Sequence, residues 1–111
     1  MSSYPLSKLV ALQIQAYVAS ENPNVIATTL NPGAVMTDMM TDMFKRFAKD
    51  TPELGGGVGN WLASGKAAFL NGKYITANWC VDELSSRKDE IVSEGKLSID
   101  LVVKFGKEQF A

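Results

Sequence analysis

The chain has 111 residues, no histidine and a single cysteine, Cys80. Without imidazoles or paired thiolates, the usual zinc ligand sets cannot be assembled, and no metal site is expected. A lone cysteine closes no internal disulfide, so a reducing compartment, the cytoplasm, is the expectation. Charge of one sign is also missing: 11 basic residues face 12 acidic ones, for a net charge of −1. They are scattered, and no basic stripe argues for nucleic acid. No apolar run approaches the ~20 residues of a membrane span. No signal peptide is apparent, nor any glycosylation sequon, internal repeat or low-complexity tract. Prolines are scarce, and Pro5, Pro23, Pro32 and Pro52 each fall at an expected element boundary.

What remains is the composition of one small globular domain, 46% hydrophobic with a mean hydropathy of −0.01. Residues 5–20 read as a helix, because Pro5 suits a first turn and an apolar, Ala-containing run follows. Leu6, Val10, Ile14 and Tyr17 form one stripe, and Leu9, Leu12 and Ala16 a second. Such a helix is expected to pack on a sheet with one side and on a partner helix with the other; a single wide core face is the alternative. Residues 20–24 stop it. Residues 25–30 then form a short β-rich run, mostly apolar, as in a strand buried in a parallel sheet. Helix, loop and strand in this order point to α/β architecture.

Two stretches carry chemistry. In Tyr4-Pro5-Leu6-Ser7-Lys8, helical spacing puts Tyr4 and Lys8 on one face, with the phenol at the positive end of the helix dipole. A phenol placed beside an ammonium suits general acid or base work. On their own, the same residues are also an ordinary helix start with a surface lysine. Asn31-Pro32-Gly33 breaks the first strand at its C-terminal end, where the ligand crevice of an open parallel sheet lies. Pro32 stiffens that turn, and Gly33 lets backbone approach a flat ligand.

Downstream, Thr37-Asp38 and Thr41-Asp42 are candidate caps of a helix reaching residue 49. Met36, Met40, Met43, Phe44 and Phe47 fall at helical spacing within it. The stripe reads as core, or as an adaptable lid over an apolar substrate formed by Met36, Met40, Met43 and Phe44. Thr51-Pro52-Glu53 starts another helix. Gly55, Gly56, Gly57 and Gly59 lack phosphate-loop spacing and follow no strand, so they imply a mobile or tightly packed helix start. Trp61 and Leu62 carry its packing, and residues 63–65 end it. Residues 67–70 make a helical turn, Asn71-Gly72 a tight turn, and residues 73–79 a second strand. A polar helix is expected over residues 85–94 and an edge strand over residues 99–103.

Taken together these motifs resemble the C-terminal half of a short-chain dehydrogenase/reductase. Tyr4-Pro5-Leu6-Ser7-Lys8 is similar to the family's Tyr-x-x-Ser-Lys active-site helix. Asn31-Pro32-Gly33-Ala34-Val35-Met36-Thr37 is similar to its Pro-Gly-x-Val-x-Thr loop. Trp61-Leu62-Ala63-Ser64 and residues 67–75 resemble its last helix and strand, and Asn78-Trp79-Cys80-Val81-Asp82-Glu83-Leu84 a tail of fungal members in which Cys80 is usually Asp. The resemblance implies the incomplete C-terminal part of a doubly wound Rossmann-type parallel sheet. It implies NAD or NADP as cofactor and a small apolar carbonyl or alcohol as substrate. Tyr4 would exchange the proton with substrate, and Lys8 would hold the nicotinamide ribose. Pro32 and Gly33 would shape the cofactor loop, the Val35 backbone would meet the carboxamide, and Thr37 would sit beside carboxamide or pyrophosphate. The family often dimerises through the helix matching residues 5–20. Its Gly-rich phosphate loop and catalytic serine have no counterpart in these 111 residues, so weak or no cofactor binding by the chain alone is expected. A non-catalytic remnant serving as an interaction module is the alternative, and an unrelated small α/β binding module is a third.

Overall fold

The computed structural model describes residues 3–34 and 50–100. They form helix α1 (Ser3–Glu21), strand β1 (Thr29–Asn31), helix α2 (Pro52–Ala63), a 3-10 turn (Ala68–Leu70), strand β2 (Tyr74–Thr76), and helices α3 (Val81–Ser86) and α4 (Lys88–Ser93). β1 and β2 are parallel, with Thr29 opposite Tyr74, Leu30 opposite Ile75 and Asn31 opposite Thr76. The architecture is therefore α/β with a small parallel sheet. No described helix is long and apolar enough to cross a membrane. The expected helix preceding residue 49 lies outside the described residues.

One side of the sheet carries the core. Val58, Ala67, Leu70, Ile75, Ala77, Leu84 and Ile91 are buried together, and Leu30, Leu54, Trp61, Leu62, Phe69 and Leu97 pack against them. Trp61 meets Phe69 edge to face, with ring centroids 6.4 Å apart. Leu70 and Ile75 are fully buried, and burying a side chain of that size contributes about 1.5–3 kcal/mol.

α1 crosses the other side. Asn22 Nδ2 donates to the Val18 carbonyl at 2.9 Å and so caps the last turn before Pro23. The Gln15 amide donates to the Ala27 carbonyl, and its oxygen accepts the Thr29 hydroxyl at 3.0 Å. Leu12, Gln15 and Ala16 are half-buried and Ala19 is buried, a stripe at helical spacing. Leu6, Val10, Ile14 and Tyr17 are exposed. Of the two expected apolar sides, that of Leu9, Leu12 and Ala16 meets the sheet through Leu12 and Ala16 while Leu9 is exposed, and the other faces outward.

Several boundaries differ from expectation. The first strand shrinks from residues 25–30 to Thr29–Asn31, and Val25 and Ile26 are exposed. The reason is competition from the Asn71-Gly72 turn. Ala27 N–H donates to Asn71 Oδ1 at 2.8 Å, and its carbonyl accepts Gly72 N–H at 2.7 Å. The second strand stops at Thr76, because Trp79 N–H turns back onto the Thr76 carbonyl. The polar helix of residues 85–94 is two helices that meet at Arg87, whose N–H is shared between the Glu83 and Leu84 carbonyls. This break lets both Leu84 and Ile91 reach the core. No strand forms at residues 99 and 100, and the rest of that expected strand lies outside the described residues. Just before this stretch, the Leu97 carbonyl accepts the Tyr74 N–H of β2 at 2.8 Å.

Candidate active site

Tyr4 lies in the first turn of α1 and Lys8 one turn later. The Lys8 ammonium stands over the Tyr4 ring, 5.4 Å from its centroid, within reach of the negative face of the π system. Tyr4 is 57% exposed. Ser7 Oγ, exposed like Tyr4, donates back to the Tyr4 carbonyl at 2.7 Å.

The second group is the bend after β1. Asn31 Oδ1 accepts the Gly33 N–H at 2.9 Å, while Asn31 Nδ2 donates to the Tyr74 hydroxyl at 3.1 Å. Gly33 has φ +94°, and a Cβ built there would lie 2.6 Å from Asp50 Oδ2. Glycine is required on both counts. Asp50 closes the bend from the far side. Its backbone N–H donates to the Ala34 carbonyl at 3.0 Å, and its carboxylate accepts Ala34 N–H at 2.7 Å and Asn78 Nδ2 at 2.7 Å. The Asn78 hydrogen bond, followed by that from Ala34, holds the Asp50 carboxyl below the usual carboxylate range.

The glycine cluster is helical, inside α2. Gly55 lies against the bend, since a Cβ there would come 3.1 Å from the Pro32 Cβ. Gly56, Gly57 and Gly59 have open space beside them. The cluster therefore provides close packing at its first position and no phosphate cradle.

Among the expected site residues, Tyr4 and Lys8 come together, and Pro32 and Gly33 shape the bend. Val35, Met36, Thr37, Met40, Met43 and Phe44 lie outside the described residues. Asp50, Tyr74 and Asn78 are additions that sequence reasoning missed as site residues. Asn78 opens the Asn-Trp tail motif, which was the available signal. Asp50 stands in no motif and announces itself only through space. A separate groove of about 470 Å³ lies beside α3 and α4, lined by Trp79, Leu84, Arg87, Glu90, Ile91 and Lys96 among others. Both cations there are already paired with Glu90, and neither Tyr4 nor the bend lines it.

Comparison with known proteins agrees with the reading of these motifs. The chain is 36% identical to the short chain dehydrogenase mpl6 of Monascus purpureus and to the short chain dehydrogenase citE of Monascus ruber, in both cases over 92% of the present chain. It is 33% identical to the short chain dehydrogenase andI of Emericella variicolor over 93%. The chain belongs to the short-chain dehydrogenase/reductase family. It spans 37% of the length of these three relatives. No family model matches the chain, and no solved structure does.

The residues present fit part of what a nicotinamide cofactor needs. An exposed phenol and ammonium stand together, and a glycine bend ends a parallel strand. None of the described glycine-rich segments offers a pyrophosphate site.

Proposed function

We propose that this chain carries the acid/base pair and the cofactor-facing bend of a short-chain dehydrogenase/reductase. The reaction is hydride transfer between NAD(P) and a small apolar carbonyl or alcohol. The observation that carries the reading is the Lys8 ammonium standing over the exposed Tyr4 ring at the start of α1. NAD or NADP, when bound, supplies or accepts the hydride. Tyr4 gives its phenolic proton to the carbonyl oxygen during reduction and recovers it from the alcohol during oxidation. Lys8 would hold the nicotinamide ribose. By the family resemblance, Pro32, Gly33, Val35 and Thr37 would serve the nicotinamide end of the cofactor, and Met36, Met40, Met43 and Phe44 would serve as the substrate lid. The fold is the C-terminal part of a Rossmann-type sheet.

The 111-residue chain alone is expected to leave NADH and NADPH fluorescence unchanged on titration, because its sequence carries no Gly-rich phosphate loop. Saturable micromolar binding to a monomer would contradict this. Joined to the remaining portion of the Monascus ruber relative, it is expected to oxidise NADPH or NADH with a small apolar ketone. Tyr4→Phe then abolishes turnover and leaves cofactor binding in place. Retained turnover in that variant overturns the acid/base assignment.

A second reading has an observation of its own. The outward stripe of α1 suits a non-catalytic module that binds another chain, including a second copy through residues 5–20.

A further inference from the structure

We propose that the corner after β2, Asn78-Trp79, is the positioning device for the bend of residues 31–34, with Asp50 as its link. The inference rests on the cofactor role assigned to that bend. Two routes leave the corner. Asn78 Nδ2 donates to Asp50 Oδ1, and Asp50 Oδ2 accepts the Ala34 N–H, both at 2.7 Å. The Trp79 ring packs edge to face on Tyr74, with centroids 6.4 Å apart. The Tyr74 hydroxyl in turn accepts from the Asn31 side chain, whose amide oxygen holds the Gly33 N–H. Asn78 is itself oriented, because its oxygen accepts the Thr76 hydroxyl at 2.8 Å. The amides of Gly33 and Ala34 are thus fixed by side chains anchored to β2 and the corner that follows it. The turn chemistry of Pro32-Gly33 alone would fix neither.

The donor and acceptor pattern makes the link testable by exchange of its ends. Asp50→Asn sets its amide nitrogen against either the Ala34 N–H or the Asn78 amide nitrogen, so one of the two bonds is lost. Asn78→Asp sets two carboxylates against each other. In the double variant Asp50→Asn/Asn78→Asp, the amide oxygen introduced at position 50 accepts Ala34 N–H. The amide nitrogen introduced there donates to the carboxylate introduced at position 78, so both bonds return.

The experiment is amide hydrogen exchange on the 111-residue chain, followed by NMR, with Ala77 N–H as the internal reference. That amide bonds to the Asn31 carbonyl at 2.8 Å and reports on the strand pair. Each single variant is expected to speed Ala34 exchange roughly five- to tenfold, the effect of one hydrogen bond, with Ala77 unchanged. The double variant restores the wild-type rate. Tyr74→Phe speeds Gly33 and spares Ala34. The proposal is overturned if Ala34 keeps its wild-type rate in both single variants. It is equally overturned if the double variant fails to recover, or if Ala77 loses protection in step with Ala34, since the corner would then hold the sheet as a whole. None of these readouts needs cofactor or turnover, so their failure is separate from failure of the Tyr4 assignment.

Discussion

Glu90 stands between two cations. Its Oε2 accepts Arg87 Nε at 2.8 Å and its Oε1 accepts Lys96 Nζ at 2.6 Å. The Arg87 hydrogen bond, followed by that of Lys96, holds its carboxyl down to about 2 from the ordinary 4.5. A depressed carboxyl adds stability above its unfolded value and loses it as pH falls through the folded one. Glu90 therefore contributes at neutral pH, and its contribution fades below pH 4.5 toward about 2. A carbon-detected NMR titration of the Glu90 carboxyl is expected to give a midpoint near that lower value. In Lys96→Ala the midpoint rises, because one of its two donors is gone. A wild-type midpoint at 4.5 would show that the ion pairs do not persist in solution. Asp50 has the same sign, so the bend after β1 also loosens in acid. Such effects belong to single residues. They touch the site only through Asp50, since Glu90 borders the groove beside α3 and α4.

At the scale of elements, legibility followed locality. α1, α2 and the turn at residue 72 were readable, because a proline in the first turn and a glycine with φ +75° act over a few neighbours. The ends of β1 and β2 were not. They depend on which distant group takes each backbone hydrogen bond, and Asn71, Gly72 and Asn31 took several. The break at Arg87 was hidden for a similar reason. The polar run of residues 85–94 reads as one helix, but Leu84 and Ile91 both have to reach one core. The site divides in the same way. Tyr4 and Lys8 are neighbours on one helix and could be paired from spacing, whereas Asp50 reaches Asn78 only through the fold. The small core also sets how the elements cooperate. Leu70 joins the 3-10 turn to β2, and it is fully buried in a cluster of few large side chains. Leu70→Ala is expected to cost about 2–5 kcal/mol, enough to unfold a marginal domain. Urea unfolding followed by circular dichroism checks this. A loss under ~1 kcal/mol, the scale of an ordinary surface or mildly tolerated change, would mean the cluster is not the cooperative unit.

The described residues are lopsided. Their core lies on one side of a two-stranded sheet, while α1 on the other side turns Leu6, Val10, Ile14 and Tyr17 outward. Those side chains are more than half exposed, and they lie one above the next at helical spacing. An unbroken apolar stripe of this kind favours association, because burying it against any complementary face removes apolar area from water. In relatives more than twice as long, additional chain is available to cover such a stripe. In the 111-residue chain the partner at hand is a second copy, and the stripe can pack against itself across a twofold axis. Light scattering after gel filtration is therefore expected to show concentration-dependent dimers or larger species. Val10→Lys/Ile14→Lys should shift the chain to monomer. Lysine is no worse than valine or isoleucine in a helix, so α1 itself is preserved. Neither side chain belongs to the core, so the urea midpoint of the dilute chain should stay within the small range of surface changes. A wild-type chain that remains monomeric at high concentration would remove association as the role of this face. A large loss of stability in the lysine variant would instead mean that the stripe packs within the protomer.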